Sequence, residues 1–84
     1  MELNFHSDPG HGWLEIPTSV LVQLGIQTKI SAYSYIDTYG QTAFLEEDCD
    51  AGVLMDALKD KGITVTFKEL NTNNDSFIRN LPSF

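Results

Sequence analysis

The chain has 84 residues, a length that supports one domain with a modest core and leaves no room for a second. With 42% hydrophobic and 11% aromatic residues it is too apolar to be a disordered chain, despite a net charge of −7. That charge disfavours direct binding to nucleic acid or anionic lipid and favours a partner with a basic surface.

The charge is unevenly placed. Residues 1–58 hold nine carboxylates (Glu2, Asp8, Glu15, Asp37, Glu46, Glu47, Asp48, Asp50 and Asp56) against Lys29 alone. Residues 59–84 are close to neutral, with Lys59, Lys61, Lys68 and Arg79 against Asp60, Glu69 and Asp75. No apolar run approaches the ~20 residues of a membrane-spanning helix, and Met1-Glu2-Leu3-Asn4 does not read as a signal peptide. The single cysteine, Cys49, has no second thiol for a disulfide or a zinc knuckle. The expected setting is the cytosol, without a cofactor.

Glu2 to His6 alternates polar and apolar residues and reads as a first strand with Leu3 and Phe5 on one face. Asp8-Pro9-Gly10 is turn chemistry, with Pro9 presetting φ and Gly10 taking a positive φ, so Trp13-Leu14-Glu15-Ile16 returns as the second arm of a hairpin. Pro17-Thr18-Ser19 starts a short helix, capped by a hydroxyl, whose stripe is Val20, Leu21 and Leu24 and whose stop is Gly25. Ile26 and Ile30 complete its packing.

Ala32 to Leu45 reads as a second hairpin, turning at Asp37-Thr38-Tyr39-Gly40-Gln41, with Tyr33 and Tyr35 on a common face. Leu45-Glu46-Glu47-Asp48-Cys49-Asp50-Ala51 then opens a longer helix, Asp48 to Lys61. Its apolar stripe runs through Cys49, Val53, Leu54, Ala57 and Leu58 and its stop is Gly62. Ile63 to Phe67 alternates strictly and predicts a last strand with Ile63, Val65 and Phe67 inward. After the polar loop Asn71 to Asp75, the apolar residues Phe77, Ile78, Leu81 and Phe84 are expected to dock over an open sheet edge or end. The order β-β-α-β-β-α-β with amphipathic strands predicts an α+β fold: a mostly antiparallel sheet of about five strands with two helices on one face.

Three sets of residues carry candidate chemistry. Asp48 is the expected helix cap, which leaves Glu46, Glu47, Asp50 and Asp56 as a row of negative charge beside the helix, with Tyr35 and Tyr39 as aromatic anchors for a protein partner. Capping and solvation account for the same acids equally well, and their spacing is not that of an EF-hand. The second set is His6, Asp8 and His11, two imidazoles and a carboxylate of the kind that binds zinc or non-haem iron, which would make the chain a small metal-dependent enzyme or metal-binding protein. The competing account makes Asp8 an Asx-turn residue and leaves the histidines hydrogen-bonded or exposed. The third is Cys49, whose place on the apolar stripe argues against nucleophilic catalysis with a histidine. Arg79 is expected to pair with Asp75 or with the acidic surface. A further alternative is a homodimer joined through an exposed sheet edge or the Tyr33 and Tyr35 face.

Four strings, Ser7-Asp8-Pro9-Gly10-His11-Gly12-Trp13-Leu14, Tyr33-Ser34-Tyr35, Leu45 to Ala51 and Asn74-Asp75-Ser76-Phe77-Ile78-Arg79, together resemble a family of small acidic proteins encoded by phages and other mobile elements. The resemblance covers nearly the whole chain, although the loop Asp37 to Gln41 is longer than the family pattern. It implies a mobile-element setting more than a mechanism. Some small acidic phage proteins inhibit host defence, anti-CRISPR proteins among them. By that analogy the chain is a non-enzymatic inhibitor, a DNA mimic whose acidic face occupies a basic nucleic-acid-binding surface of a host protein.

Overall fold

Two reversals, at Asp8 to His11 and at Asp37 to Gln41, generate most of the sheet. The first joins β1 (Glu2–Ser7) to β2 (Gly12–Pro17), and the second joins the two-residue β3 (Tyr35–Ile36) to β4 (Thr42–Glu46). Helix α1 (Thr18–Gln23) lies between the hairpins, and α2 (Ala51–Asp60) leads to the last strand, β5 (Thr66–Asn71). Short 3-10 turns occupy Gln27–Lys29 and Phe77–Asn80. The computed structural model describes all 84 residues, and the class is α+β, as predicted. No helix is long and apolar enough to cross a membrane.

The sheet order is β3-β4-β2-β1-β5. Three neighbouring pairs are antiparallel, and β5 alone runs parallel to its neighbour β1. Because side chains alternate across a strand, the register sorts residues into two faces. Leu14 is opposite both Phe5 and Leu45, and Ile16 is opposite Ala43. These residues form the main core with Leu3, Leu21, Leu54 and Leu58, so both helices cover this one face. Trp13 is opposite His6 and Glu46, and Phe44 is opposite Tyr35. Trp13 and Phe44 meet Ile78 in a second, smaller core on the other face.

The apolar tail docks where the sheet would otherwise end. Ile36 N–H donates to Pro82 O at 2.9 Å, Phe84 N–H donates to Ser34 O at 2.8 Å, and Ser83 pairs with Tyr35. Both helix stops are left-handed glycines as predicted, Gly25 at φ 70° and Gly62 at φ 72°.

The structure corrects several local expectations. Gly10 has no positive φ. It is needed for close approach instead, since a Cβ there would lie 2.8 Å from Arg79 Nη2. Thr18 and Ser19 do not cap α1; Thr18 N–H and Oγ1–H donate to Gln41 O and Gly40 O and tie the helix to the second hairpin. Helix α2 begins three residues later than predicted, because residues 47–50 are held in turns. Cys49 is consequently off the helix and exposed rather than on its apolar stripe. The last strand also starts later, at Thr66, because Ile63 N–H is taken by Leu58 O at the end of α2 and Thr64 O accepts the N-terminal ammonium. Ile63 and Phe67, predicted inward, are 37% and 49% exposed, while Val65 packs on the core.

Candidate functional site

The acidic string folds into three different environments. Glu46, the last residue of β4, is 8% exposed and its Oε2 accepts the N–H groups of Asp48 and Cys49, each at 2.9 Å. It therefore caps the turn ahead of α2; Asp48, the expected helix cap, lies within that turn, and no side chain caps the helix itself. Asp50 is 2% exposed and points inward: its carboxylate accepts Ser31 N–H at 3.1 Å, Ser31 Oγ–H at 2.7 Å and Ser34 Oγ–H. Ser34 Oγ in turn accepts Glu46 N–H at 3.0 Å, so the start of α2, the loop at 31–34 and the end of β4 form one network. Only Glu47 and Asp48 of this string are exposed acids.

The predicted row of Glu46, Glu47, Asp50 and Asp56 is therefore not formed. Asp50 faces the interior, and Asp56 lines a different cleft, with Asp60, Lys29 and Lys61. Tyr39 is 85% exposed at the tip of the second hairpin and belongs to neither cleft. Tyr35 is half-buried beside Trp13, with ring centroids 6.3 Å apart and the planes at 73°.

His6, Asp8 and His11 also have separate partners. His6 Nε2 lies 2.6 Å from Glu15 Oε1, and its ring meets Phe44 and Phe77 edge-on. Asp8 accepts Gly10 and His11 N–H through Oδ1, each at 3.0 Å, which is the expected Asx-type turn. It also accepts Ser76 N–H at 2.9 Å and holds Arg79 with two hydrogen bonds, from Nε at 2.6 Å and Nη2 at 2.9 Å. Arg79 thus pairs with Asp8 rather than Asp75. No group of three or more His, Cys, Asp and Glu side chains is arranged to hold a metal ion.

The Asp8 side chain is shielded from solvent, and the Arg79 guanidinium, helped by the N–H donors of Ser76, Gly10 and His11, holds its carboxyl far below the usual carboxylate range. Its contribution to stability is fully present above the ordinary carboxylate pKa of ~3.9 and is lost progressively as pH falls below it, because the unfolded chain takes up the proton first. Asp8→Asn is expected to be less stable than wild type in urea unfolding at pH 7, and the gap is expected to narrow at pH 2.5. A gap that does not depend on pH would contradict this.

The clamp positions one wall of a cleft of about 320 Å³ on the sheet face opposite the helices. Its lining comes from all four strings that carry the resemblance: His11 and Trp13 from the first, Tyr33 and Tyr35 from the second, Glu46, Asp48 and Cys49 from the third, and Arg79 from the fourth. Trp13 is almost fully buried and forms the floor. The guanidinium of Arg79 stacks over it, 5.5 Å from the ring centroid. Tyr33, 73% exposed, offers an open ring. His11 Nδ1 is 3.8 Å from Glu46 Oε1. Since Asp8 already neutralises Arg79, the unbalanced charges in the cleft are the carboxylates of Glu46 and Asp48. The cleft is thus aromatic and net acidic.

Sequence reasoning assigned Tyr35 and Glu46 to a site but missed the convergence of Trp13, His11, Asp48, Cys49 and Arg79 around them. Cys49 lines the same cleft as His11, yet a hydrogen bond with Glu46, partial desolvation and the charges of Glu46, Asp50 and Asp48 push its pKa up. A thiol so placed is a weak nucleophile at neutral pH. Searches of family models, curated proteins and solved structures found no match to this chain.

Proposed function

We propose that this chain is an interaction protein that binds a basic surface of a host protein, with the cleft over Trp13 as the anchor. The observation that carries this reading is the pairing, in one cleft, of exposed or half-exposed aromatic rings, Tyr33 and Tyr35, with the exposed carboxylate of Asp48 and the more buried one of Glu46. A lysine or arginine side chain gains from both, since a cation is attracted to the face of an aromatic ring as well as to carboxylates. Tyrosines at the centre of a contact supply affinity, and the surrounding charge steers the approach.

In the setting that the resemblance implies, the partner is a nucleic-acid-binding defence complex of a bacterial host, and the chain inhibits it by occupying the surface that otherwise holds phosphates. The chain acts by occupancy rather than turnover. Affinity capture from bacterial lysate, run in parallel with wild type and the Tyr33→Ala/Asp48→Lys variant, tests this reading. The expected result is a partner retained by wild type, lost with the variant and displaced by a competing oligonucleotide. Equal capture by both proteins, or a captured partner indifferent to oligonucleotide, would overturn it.

A further inference from the structure

The sheet has two edges, and the chain covers only one of them. Residues 82–84 close the β3 edge, whereas β5 has β1 as its sole neighbour. Thr66 N–H donates to Met1 O and Thr72 N–H donates to Ser7 O, so the even-numbered residues of β5 direct their backbone groups at β1. A parallel strand bonds a given neighbour through alternate residues, which turns the backbone groups of Val65, Phe67, Glu69 and Asn71 outward. The same edge is mostly apolar on the helix side. Phe67, 49% exposed, walls a groove of about 260 Å³ with Phe5, Leu14 and Met55, and Glu69 is the one charged residue in its lining.

We propose that this edge pairs with the same edge of a second copy of the chain, β5 running antiparallel to β5 about a two-fold axis at Phe67. The site is separate from the acidic cleft and does not depend on its function. Charge favours a copy at this edge: the excess of acid lies in residues 1–58, and the segment from 59 onward is near neutral. Two copies therefore meet here without the repulsion they would meet elsewhere.

The side chains select the register. Centring the pair on Lys68 sets two lysines directly opposite, and centring it on Glu69 sets two glutamates opposite; both are unfavourable. Centring it on Phe67 sets the two rings opposite each other, Val65 opposite Glu69 and Thr66 opposite Lys68. The two Lys68 side chains are then only diagonal neighbours, at ~7–8 Å between backbone positions. In this register the hydrogen-bonding pairs join outward-facing residues only, and the rings cover the open side of the groove. A contact built on one short strand is small, so the dimer exchanges with monomer.

Light scattering on wild type from ~10 μM to ~1 mM tests the association. The expected result is a rise from monomer toward dimer that is absent in Phe67→Lys. The register is read by oxidising Phe67→Cys, Lys68→Cys and Glu69→Cys, each combined with Cys49→Ser. Phe67→Cys is expected to cross-link fastest, because Cα atoms of such a pair lie ~5.5 Å apart, within disulfide reach. A wild type that stays monomeric throughout, a Phe67→Lys variant that dimerises like wild type, or faster cross-linking at position 68 or 69 would overturn the proposal.

Discussion

Asp50→Ala is expected to lose about 3 kcal/mol of stability, because it strips a buried carboxylate from donors that no other group can satisfy. Ser31 N–H, Ser31 Oγ–H and Ser34 Oγ–H all point at it, and Asp50 is 2% exposed. The network also fixes Tyr33 and Tyr35, which flank Ser34, against the start of α2. A small domain has ~5–15 kcal/mol in total, so the loss is a large share. Urea unfolding at pH 7 measures it. A loss below ~1 kcal/mol would show that the carboxylate behaves as a solvated helix-start acid. Asp50→Lys is expected to be worse, since it places a second kind of charge among the same donors; this excludes Asp50 from any charge-reversal test of binding.

Trp13→Ala is expected to cost about 3–5 kcal/mol, the range for truncating a large buried aromatic. Trp13 is 2% exposed and packs with Phe44 and Ile78, under the guanidinium of Arg79. Alanine removes the floor of the cleft, the smaller core and the aromatic partner of Arg79 together. For a domain of this size the melting temperature is expected to fall by roughly 12 °C or more. Thermal unfolding followed by circular dichroism gives the value, and a fall of less than ~4 °C would mean that the smaller core contributes little. For this reason Tyr33 and Asp48, whose side chains face water, are the positions at which binding is separable from folding.

The element order was legible because its signals are local. Alternation in Glu2 to His6 and Trp13 to Ile16, the turn residues at Asp8 and Gly40, and the stops at Gly25 and Gly62 all act over a few residues. What failed depends on contacts between distant segments. Asp50 looks like an exposed helix-start acid until Ser31 and Ser34 are brought to it from 19 and 16 residues away. Asp75 lies one helical turn before Arg79, yet Asp8, 71 residues distant, takes the guanidinium because its turn presents both oxygens to the C-terminal segment. The cleft was illegible for the same reason: its lining is drawn from residues 11 to 79, and spacing along the chain carries no trace of that meeting. The period-2 pattern at Ile63 to Phe67 misled for a different reason. It marks a sheet face, but β5 is an edge strand whose helix-side residues are only partly covered.

The measurement that bears most directly on the central claim is calorimetric titration of the captured partner with two charge-altered proteins of equal net charge change. Asp48→Lys alters the Trp13 cleft, while Asp56→Lys alters the charge-balanced cleft on α2. The expected result is a Kd raised about 10-fold or more by Asp48→Lys, with a weaker salt dependence than wild type, and changed less than ~3-fold by Asp56→Lys. Equal losses in both proteins would reduce the acidity to a diffuse field, and unchanged affinity in the first would contradict the cleft as the binding site.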